Sequence, residues 1–153
     1  MKFRMIDRII DYAPAKSIRG IKTVSFEEYQ LKSAFDSNPC LPESLIMESF
    51  FQLGNWLIML TSNFLQMGLL VRTNEVSFEG TAGPGENMLM DIHVCSYRDD
   101  GVLFDGRAFV NGNVIAKGTG CLASLVQIDD FYNPDDLKVL FSEIHRLGFI
   151  GER

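Results

Sequence analysis

The longest apolar stretch of the chain predicts one buried helix over about residues 43 to 60. It begins near Pro42 or Glu43, since proline suits a first turn in which its missing N–H would be unpaired anyway. Apolar side chains cover nearly the whole circumference: Leu45, Ile46, Met47, Phe50, Phe51, Leu53, Trp56, Leu57, Ile58 and Met59. A helix that is apolar on all sides has to be buried. Polar residues interrupt the longer stretch from Ser44 to Val71, so it is a poor membrane span.

Hydrophobic positions recur at every second residue beyond residue 74, which predicts strands. The predicted strands cover 18–26 before the helix and 74–80, 87–98, 102–110 and 113–126 after it. Asp99-Asp100-Gly101 predicts a turn, and Asn111-Gly112 predicts a hairpin because both residues tolerate positive φ. Near the end, Asn133 and Pro134 predict the start of one short helix, with Asn133 as its cap.

The order of these elements predicts an α+β fold. An antiparallel sheet that wraps around the single apolar helix buries that helix most economically. The other face and the edges of such a sheet favour dimerisation.

Composition and charge narrow the class of function. The chain has 153 residues, 46% of them hydrophobic, which suffices for one domain with a real core. A net charge of −6 argues against nucleic acid as the main partner. The three cysteines lack the spacing of a disulfide framework, and the sequence contains no His/Cys cluster. We therefore predict free thiols and no metal site. The charged N-terminus is unlike a signal peptide, so we expect a cytoplasmic protein.

Three segments resemble segments of the 3-hydroxyacyl-acyl-carrier-protein dehydratases, and they follow one another in the same order as in that family. The first is Phe3 to Ile10 followed by Pro14-Ala15-Lys16 and Ile21 to Ser25. The second is Leu41 to Gln52, which is similar to a family helix that reads Met-Pro-Gly-Val-Leu-Ile-Ile-Glu-Ala-Met-Ala-Gln. The third is Pro84-Gly85-Glu86, where the family has Pro-Gly-Asp before a long strand.

The resemblance implies a hot-dog fold over 1–127. The tail over 128–153 has no counterpart in the resemblance, and its own pattern predicts a helical extension packed on the same domain. The resemblance also implies a homodimer or a higher oligomer, with active sites at the dimer interface and no cofactor. The implied substrate is a thioester carried by an acyl carrier protein or by coenzyme A, in fatty-acid or polyketide-type metabolism. Acyl carrier proteins are acidic, so the basic first third of the chain is the expected contact surface.

The implied site residues follow from the family's chemistry, in which a histidine and a helix carboxylate move protons while a helix-start amide polarises the thioester carbonyl. Glu48 keeps the carboxylate, the backbone amide of Glu43 takes the oxyanion-donor position, and Gln52 supports Glu48 one turn on. Because Glu48 interrupts an apolar helix, we expect a buried carboxylate. The expected substrate channel contains Phe35, Asn38, Cys40 and Phe51.

Three positions of chemical importance depart from the family pattern: Ala34, Asn38 in the place of a second histidine, and Glu43 in the place of a glycine. The family loop reads Gly-His-Phe-Pro-Gly-His-Pro, whereas this chain reads Ser33 to Pro39 with Ala34 in the place of the catalytic histidine. A methyl group moves no proton, so we expect impaired dehydration. Three functions remain open: an altered acyl-thioester enzyme that uses Glu48, a non-catalytic homologue that binds acyl-carrier protein, and a hot-dog thioesterase that uses Glu48 and a water.

Overall fold

The computed structural model describes residues 4–27 and 38–146. The described residues form one long helix, a shorter second helix and a set of mostly long strands. In chain order they are β1 (Arg8–Ala13), β2 (Ser17–Thr23), α1 (Glu43–Thr61), β3 (Gln66–Arg72), β4 (Glu75–Phe78), β5 (Asn87–Tyr97), β6 (Gly101–Val110), β7 (Asn113–Gln127), a 3₁₀ turn (Ile128–Asp130) and α2 (Pro134–Arg146).

The strands form one antiparallel sheet in the order β1-β2-β5-β6-β7-β3, and β4 also pairs with β7. Alternate residues of the long strands face α1, as Met88, Met90 and Ile92 of β5 do with no exposed surface. Glycines let the helix approach closely: a Cβ on Gly20 would lie 2.8 Å from Leu53 Cδ1, and one on Gly106 would lie 3.3 Å from the Phe50 ring. The predicted α+β fold, with a sheet wrapped around a central helix, is confirmed.

Two strands escaped prediction from the sequence. β1 has an irregular pairing with β2 between Ile9 and Asp11, and its hydrophobic residues do not alternate. β3 continues the apolar stretch of α1, from which it is separated by a turn in which Asn63 and Phe64 have φ of 52° and 62°. Smaller differences concern boundaries, since β2 ends at Thr23 and Gly101 belongs to β6 rather than to the turn. The hairpin at Asn111-Gly112 is confirmed, with φ of 51° and 80°.

The second helix packs on the same core. The Asn133 side chain accepts a hydrogen bond from the Asp135 N–H at 2.9 Å, as a capping residue does. Leu137, Leu140 and Ile144 are buried. The Phe141 ring lies 6.1 Å from the Trp56 ring and 6.0 Å from the Tyr12 ring, so α2 covers β1 and the C-terminal half of α1. Within the described residues, no helix has the length and apolarity needed to cross a bilayer.

The hydroxyl of Tyr97 is buried and has no hydrogen-bond partner among the residues that the structure describes. Burial raises the pKa of Tyr97, so the fold favours its protonated form. The contribution of the protonated Tyr97 side chain to the stability of the fold is present below the ordinary tyrosine pKa of about 10. It is lost as pH rises through the raised pKa. We therefore expect the free energy of unfolding to fall more between about pH 7 and pH 10.5 in the native chain than in Tyr97→Phe.

Urea denaturation at the two pH values measures this difference. Some alkaline slope persists in Tyr97→Phe, because burial also raises the pKa of the Cys121 thiol. Equal slopes in the two proteins would contradict the prediction. At neutral pH the substitution leaves stability unchanged or raises it by about 1 kcal/mol, because it removes an unsatisfied buried hydroxyl.

Candidate active site

Glu48 lies on the one face of α1 that the sheet does not cover. Glu48, Gln52 and Asn55 follow one another at helical spacing, and all three are half-buried. Gln52 Nε2 donates to Glu48 Oε1 at 2.9 Å, while Gln52 Oε1 accepts from the backbone N–H of Met5 at 2.8 Å. The amide of Gln52 is thereby oriented, and it holds the carboxylate of Glu48 in a defined direction.

The expectation of a fully buried Glu48 is wrong. The helix is not enclosed on all sides, because the edge strand β3 leaves its polar face half open. A carboxylate at a half-open surface keeps contact with solvent and with an arriving substrate, which a core carboxylate would lack.

Asn55 binds β3 to the helix through two hydrogen bonds. Its Nδ2 donates to the Gly68 carbonyl at 3.2 Å, and its Oδ1 accepts from the Gly68 N–H at 2.9 Å. A Cβ on Gly68 would lie 2.7 Å from Ile58 Cδ1, so a glycine is needed for this close approach. The two hydrogen bonds between Asn55 and Gly68 fix the distance between α1 and β3, and with it the width of the groove between them.

A pocket of about 410 Å³ lies along this seam. It runs beside α1 from Glu48 to Ile58, a distance of about 15 Å at the rise of an α-helix. Most of its lining is apolar, apart from the polar groups on the open face of α1. The lining residues are Glu48, Phe51, Gln52, Asn55, Ile58, Met67, Gly68, Leu69, Leu70, Phe104, Ala123 and Tyr132. The arrangement is a carboxylate at one end of an apolar groove.

The start of α1 is held in place by a neighbouring turn. Leu41 N–H donates to the Ala82 carbonyl at 2.8 Å. In the turn that follows Ala82, Gly85 has φ of 86°, and Glu86 Oε2 accepts from the Gly83 N–H at 2.7 Å. The Pro-Gly-Glu motif therefore braces the segment that leads into the helix.

Glu43 is the first residue of α1 and follows Pro42, whose ring offers no acceptor to the first turn. The backbone N–H groups of Leu45 and Ile46 both donate to the Pro42 carbonyl. Among the described residues, no side chain caps the helix start, which carries the positive end of the helix dipole. Glu43 is not among the described residues that line the pocket of Glu48, so its role as an oxyanion donor stays a prediction.

The structure brings only part of the predicted site together. Glu48, Gln52 and Phe51 line the same pocket. Asn38 is exposed and Cys40 half-buried in the segment before α1, and neither is among the described residues that line this pocket. Ala34 and Phe35 lie outside the described residues.

Neither histidine lies beside Glu48. His93 is exposed on β5 and lines a separate pocket with Asp91 and Asp105. His145 stacks on Phe141 at 5.1 Å, on the side of Trp56, which lies about 12 Å along the helix from Glu48. Among the residues that the structure describes, no group of three or more His, Cys, Asp or Glu is placed to hold a metal ion.

The basic first third is partly neutralised. Lys22 is buried and lies 3.6 Å from Asp7, and Arg19 pairs with Asp91 at 3.0 Å and with Asp11 at 3.4 Å. Over the described ranges Arg4, Arg8 and Lys16 form no ion pair, so they remain the candidates for contact with an acidic partner. Lys32 lies outside the described residues.

Several residues that line the pocket were not predicted as site residues, among them the polar Asn55 and Tyr132. Asn55 stands seven residues after Glu48, and that spacing alone places it on the same helical face. Tyr132 had no comparable signal, because its position depends on where the tail folds.

Comparison with known proteins identifies the family. The sequence matches the FabA-like domain over residues 1–119. It is 30% identical over 117 residues to the 3-hydroxyacyl-[acyl-carrier-protein] dehydratase FabZ of Syntrophotalea carbinolica, with 75% of this chain and 80% of that protein covered. The corresponding FabZ of Yersinia enterocolitica is 29% identical over 120 residues, with 76% and 71% covered.

The fold also matches solved structures. The smu.793 protein of Streptococcus mutans, solved bound to acetyl CoA, superposes with a TM-score of 0.61 at 9% identity, covering 82% of this chain and 93% of that one. At such low identity the likeness concerns the fold alone, and it confirms the hot-dog fold that the sequence implied. The match over residues 1–119 shows that this chain belongs to the FabA-like family, as its three sequence motifs predicted.

Proposed function

We propose that this protein binds acyl thioesters with the acyl chain in the groove between α1 and β3, and that Glu48 is its acid/base. The observation that carries the proposal is the Glu48 carboxylate, held by Gln52 at one end of an apolar groove. An acyl thioester has the matching shape, a polar reactive head on an apolar chain. The FabZ relatives, named as dehydratases of 3-hydroxyacyl groups on an acyl carrier protein, support this class of ligand.

The proposed chemistry begins with the α-proton. The thioester carbonyl lies at the start of α1, where the backbone N–H of Glu43 stabilises the negative charge that develops on oxygen. Glu48 accepts the α-proton, and the electron pair moves onto the carbonyl oxygen as the enolate forms. If Glu48 trades that proton for one from solvent before it protonates the same carbon, the result is exchange. If it instead protonates the 3-hydroxyl while the enolate electrons form the 2,3-double bond and the C–O bond breaks, water leaves and dehydration is complete.

Dehydration is the impaired step in this proposal. Abstracting the α-proton and protonating the hydroxyl occur at two different atoms of the substrate. Family members divide the work between a histidine and the carboxylate, but Ala34 has no titratable group. A single carboxylate has to reach both atoms in turn, and loss of one acid/base group costs on the order of 10² to 10⁴ in rate.

The carrier and the assembly belong to the same proposal. The thioester arrives on an acyl carrier protein or on coenzyme A, and Arg4, Arg8 and Lys16 supply positive charge for an acidic carrier. The protein works as a homodimer, in which the partner covers the exposed edge strand β3.

Proton exchange tests the role of Glu48 without requiring the missing histidine. We expect the native protein to catalyse deuterium incorporation at the α-carbon of a 3-hydroxyacyl-pantetheine thioester in D₂O. Glu48→Gln should lower that rate by on the order of 10² or more, because an amide accepts no proton at neutral pH. Glu75→Gln, which changes an exposed carboxylate on β4, is the matched control and should leave the rate unchanged.

Mass spectrometry follows exchange, water loss and hydrolysis in the same sample. Equal exchange in the native protein and in Glu48→Gln would remove Glu48 from the mechanism. Hydrolysis that depends on Glu48, without exchange or water loss, would show a thioesterase instead.

A further inference from the structure

The far end of the groove is lined by a residue from outside the matched family domain. The FabA-like match ends at residue 119, whereas Tyr132 lies between the 3₁₀ turn and α2. Tyr132 lines the same pocket as Glu48. The chain's own extension therefore contributes to the site that the family domain provides.

The backbone beside Tyr132 is tied to the start of β3. Gln127 pairs with Gln66 at the end of β7, and the next residue, Ile128, donates its N–H to the Leu65 carbonyl at 3.0 Å. Ile128 is 1% exposed, and its carbonyl accepts from the Tyr132 N–H at 2.9 Å. This places Tyr132 where α1 ends and β3 begins, a defined position rather than a free tail.

Glu48 and Tyr132 lie toward opposite ends of the groove. From Glu48 the pocket runs about 15 Å along α1 to Ile58, near the point where Tyr132 approaches. Between the two ends, Phe51, Met67 and Leu70 provide apolar lining. A thioester whose carbonyl lies near the start of α1 extends its acyl tail past Glu48 and toward Tyr132.

We propose that the Tyr132 ring sets the length of the acyl chain that the groove accepts, as a wall supplied by the C-terminal extension. This inference rests on the proposed function. Each methylene that enters an apolar groove should increase affinity about fourfold, from its transfer free energy. The gain stops at the chain length whose end meets the Tyr132 ring.

Calorimetry with a series of acyl-pantetheine analogues of increasing chain length measures that limit. A methylene replaces the thioester sulfur in these probes, so they are not hydrolysed. We expect the length at which affinity stops rising to be longer in Tyr132→Ala and shorter in Tyr132→Trp than in the native protein. Tyr132→Phe keeps the ring and should keep the native limit. Phe131→Ala is the matched control, since Phe131 is an exposed neighbour that is not among the described pocket residues.

The outcomes separate the two proposals. If the analogues bind and the limit is the same in Tyr132→Ala and Tyr132→Trp as in the native protein, the role of Tyr132 is refuted while the acyl-binding function stands. If the native protein binds no analogue of any length, the proposed function fails and this inference fails with it. A limit that moves equally in Phe131→Ala would also refute it, because the effect would then come from the extension as a whole.

Discussion

Replacing Ala34 with histidine should raise the dehydration of 3-hydroxyacyl thioesters by a factor on the order of 10² to 10⁴ over the native protein. The family pattern assigns position 34 to the catalytic histidine, and the carboxylate that the pattern implies is kept as Glu48. Glu48 is oriented by Gln52, and both side chains line an apolar groove. The substitution restores the second proton-transfer group that the family pattern implies.

Three variants make this result specific. Ala34→Gln adds a polar side chain that transfers no proton at neutral pH, so it should stay near the native rate. Ala34→His combined with Glu48→Gln should lose the gain, because the histidine then lacks its carboxylate partner. Ala34→His with Glu75→Gln should keep it.

The measurement is the formation of the 2,3-unsaturated thioester, followed by absorbance or by mass spectrometry. Robust dehydration in the native protein that disappears in Glu48→Ala would contradict the prediction, because another group would then replace the histidine. A lack of gain in Ala34→His, together with Glu48-dependent hydrolysis in both proteins, would favour the thioesterase function.

Val71→Lys should convert the native protein from a dimer to a monomer at micromolar concentration. β3 is an edge of the sheet, and it leaves the apolar side chains of Leu69, Leu70 and Val71 exposed, next to the exposed Leu65 that precedes it. An exposed apolar edge strand is a template for pairing with another strand. Val71 is 62% exposed and lies outside the groove that holds Glu48, so a lysine there opposes edge pairing without altering the groove.

Val139→Lys is the matched control for the dimer. Val139 is also a valine with 60% of its surface exposed, but it lies on α2 rather than on the sheet edge. Sedimentation velocity should give a dimer for the native protein and Val139→Lys, and a monomer for Val71→Lys. A native monomer, or a dimer that tolerates Val71→Lys, would show that the β3 edge is not the interface.

Local sequence was sufficient wherever one element's own pattern decides its structure. The run from Leu45 to Met59 can bury its apolar side chains only as a helix inside a sheet, and its start at Glu43 followed from Pro42. Asn111-Gly112 specified its hairpin because few other residues adopt positive φ at two adjacent positions. The three motifs identified the family because they preserve the residues that shape the helix start and the turn before β5.

Long-range pairing decided the features that the sequence left hidden. β3 is a strand because the distant β7 hydrogen bonds to it, whereas β1 pairs with the adjacent β2; neither has the alternation that would reveal a strand in isolation. Asn55 becomes a site residue only when β3 brings Gly68 to it, and Tyr132 only when Ile128 ties the extension to Leu65. Glu48 is half-buried for the same reason: the exposure of a helix face depends on which strands cover it, and tertiary contacts, rather than helical periodicity, determine that coverage.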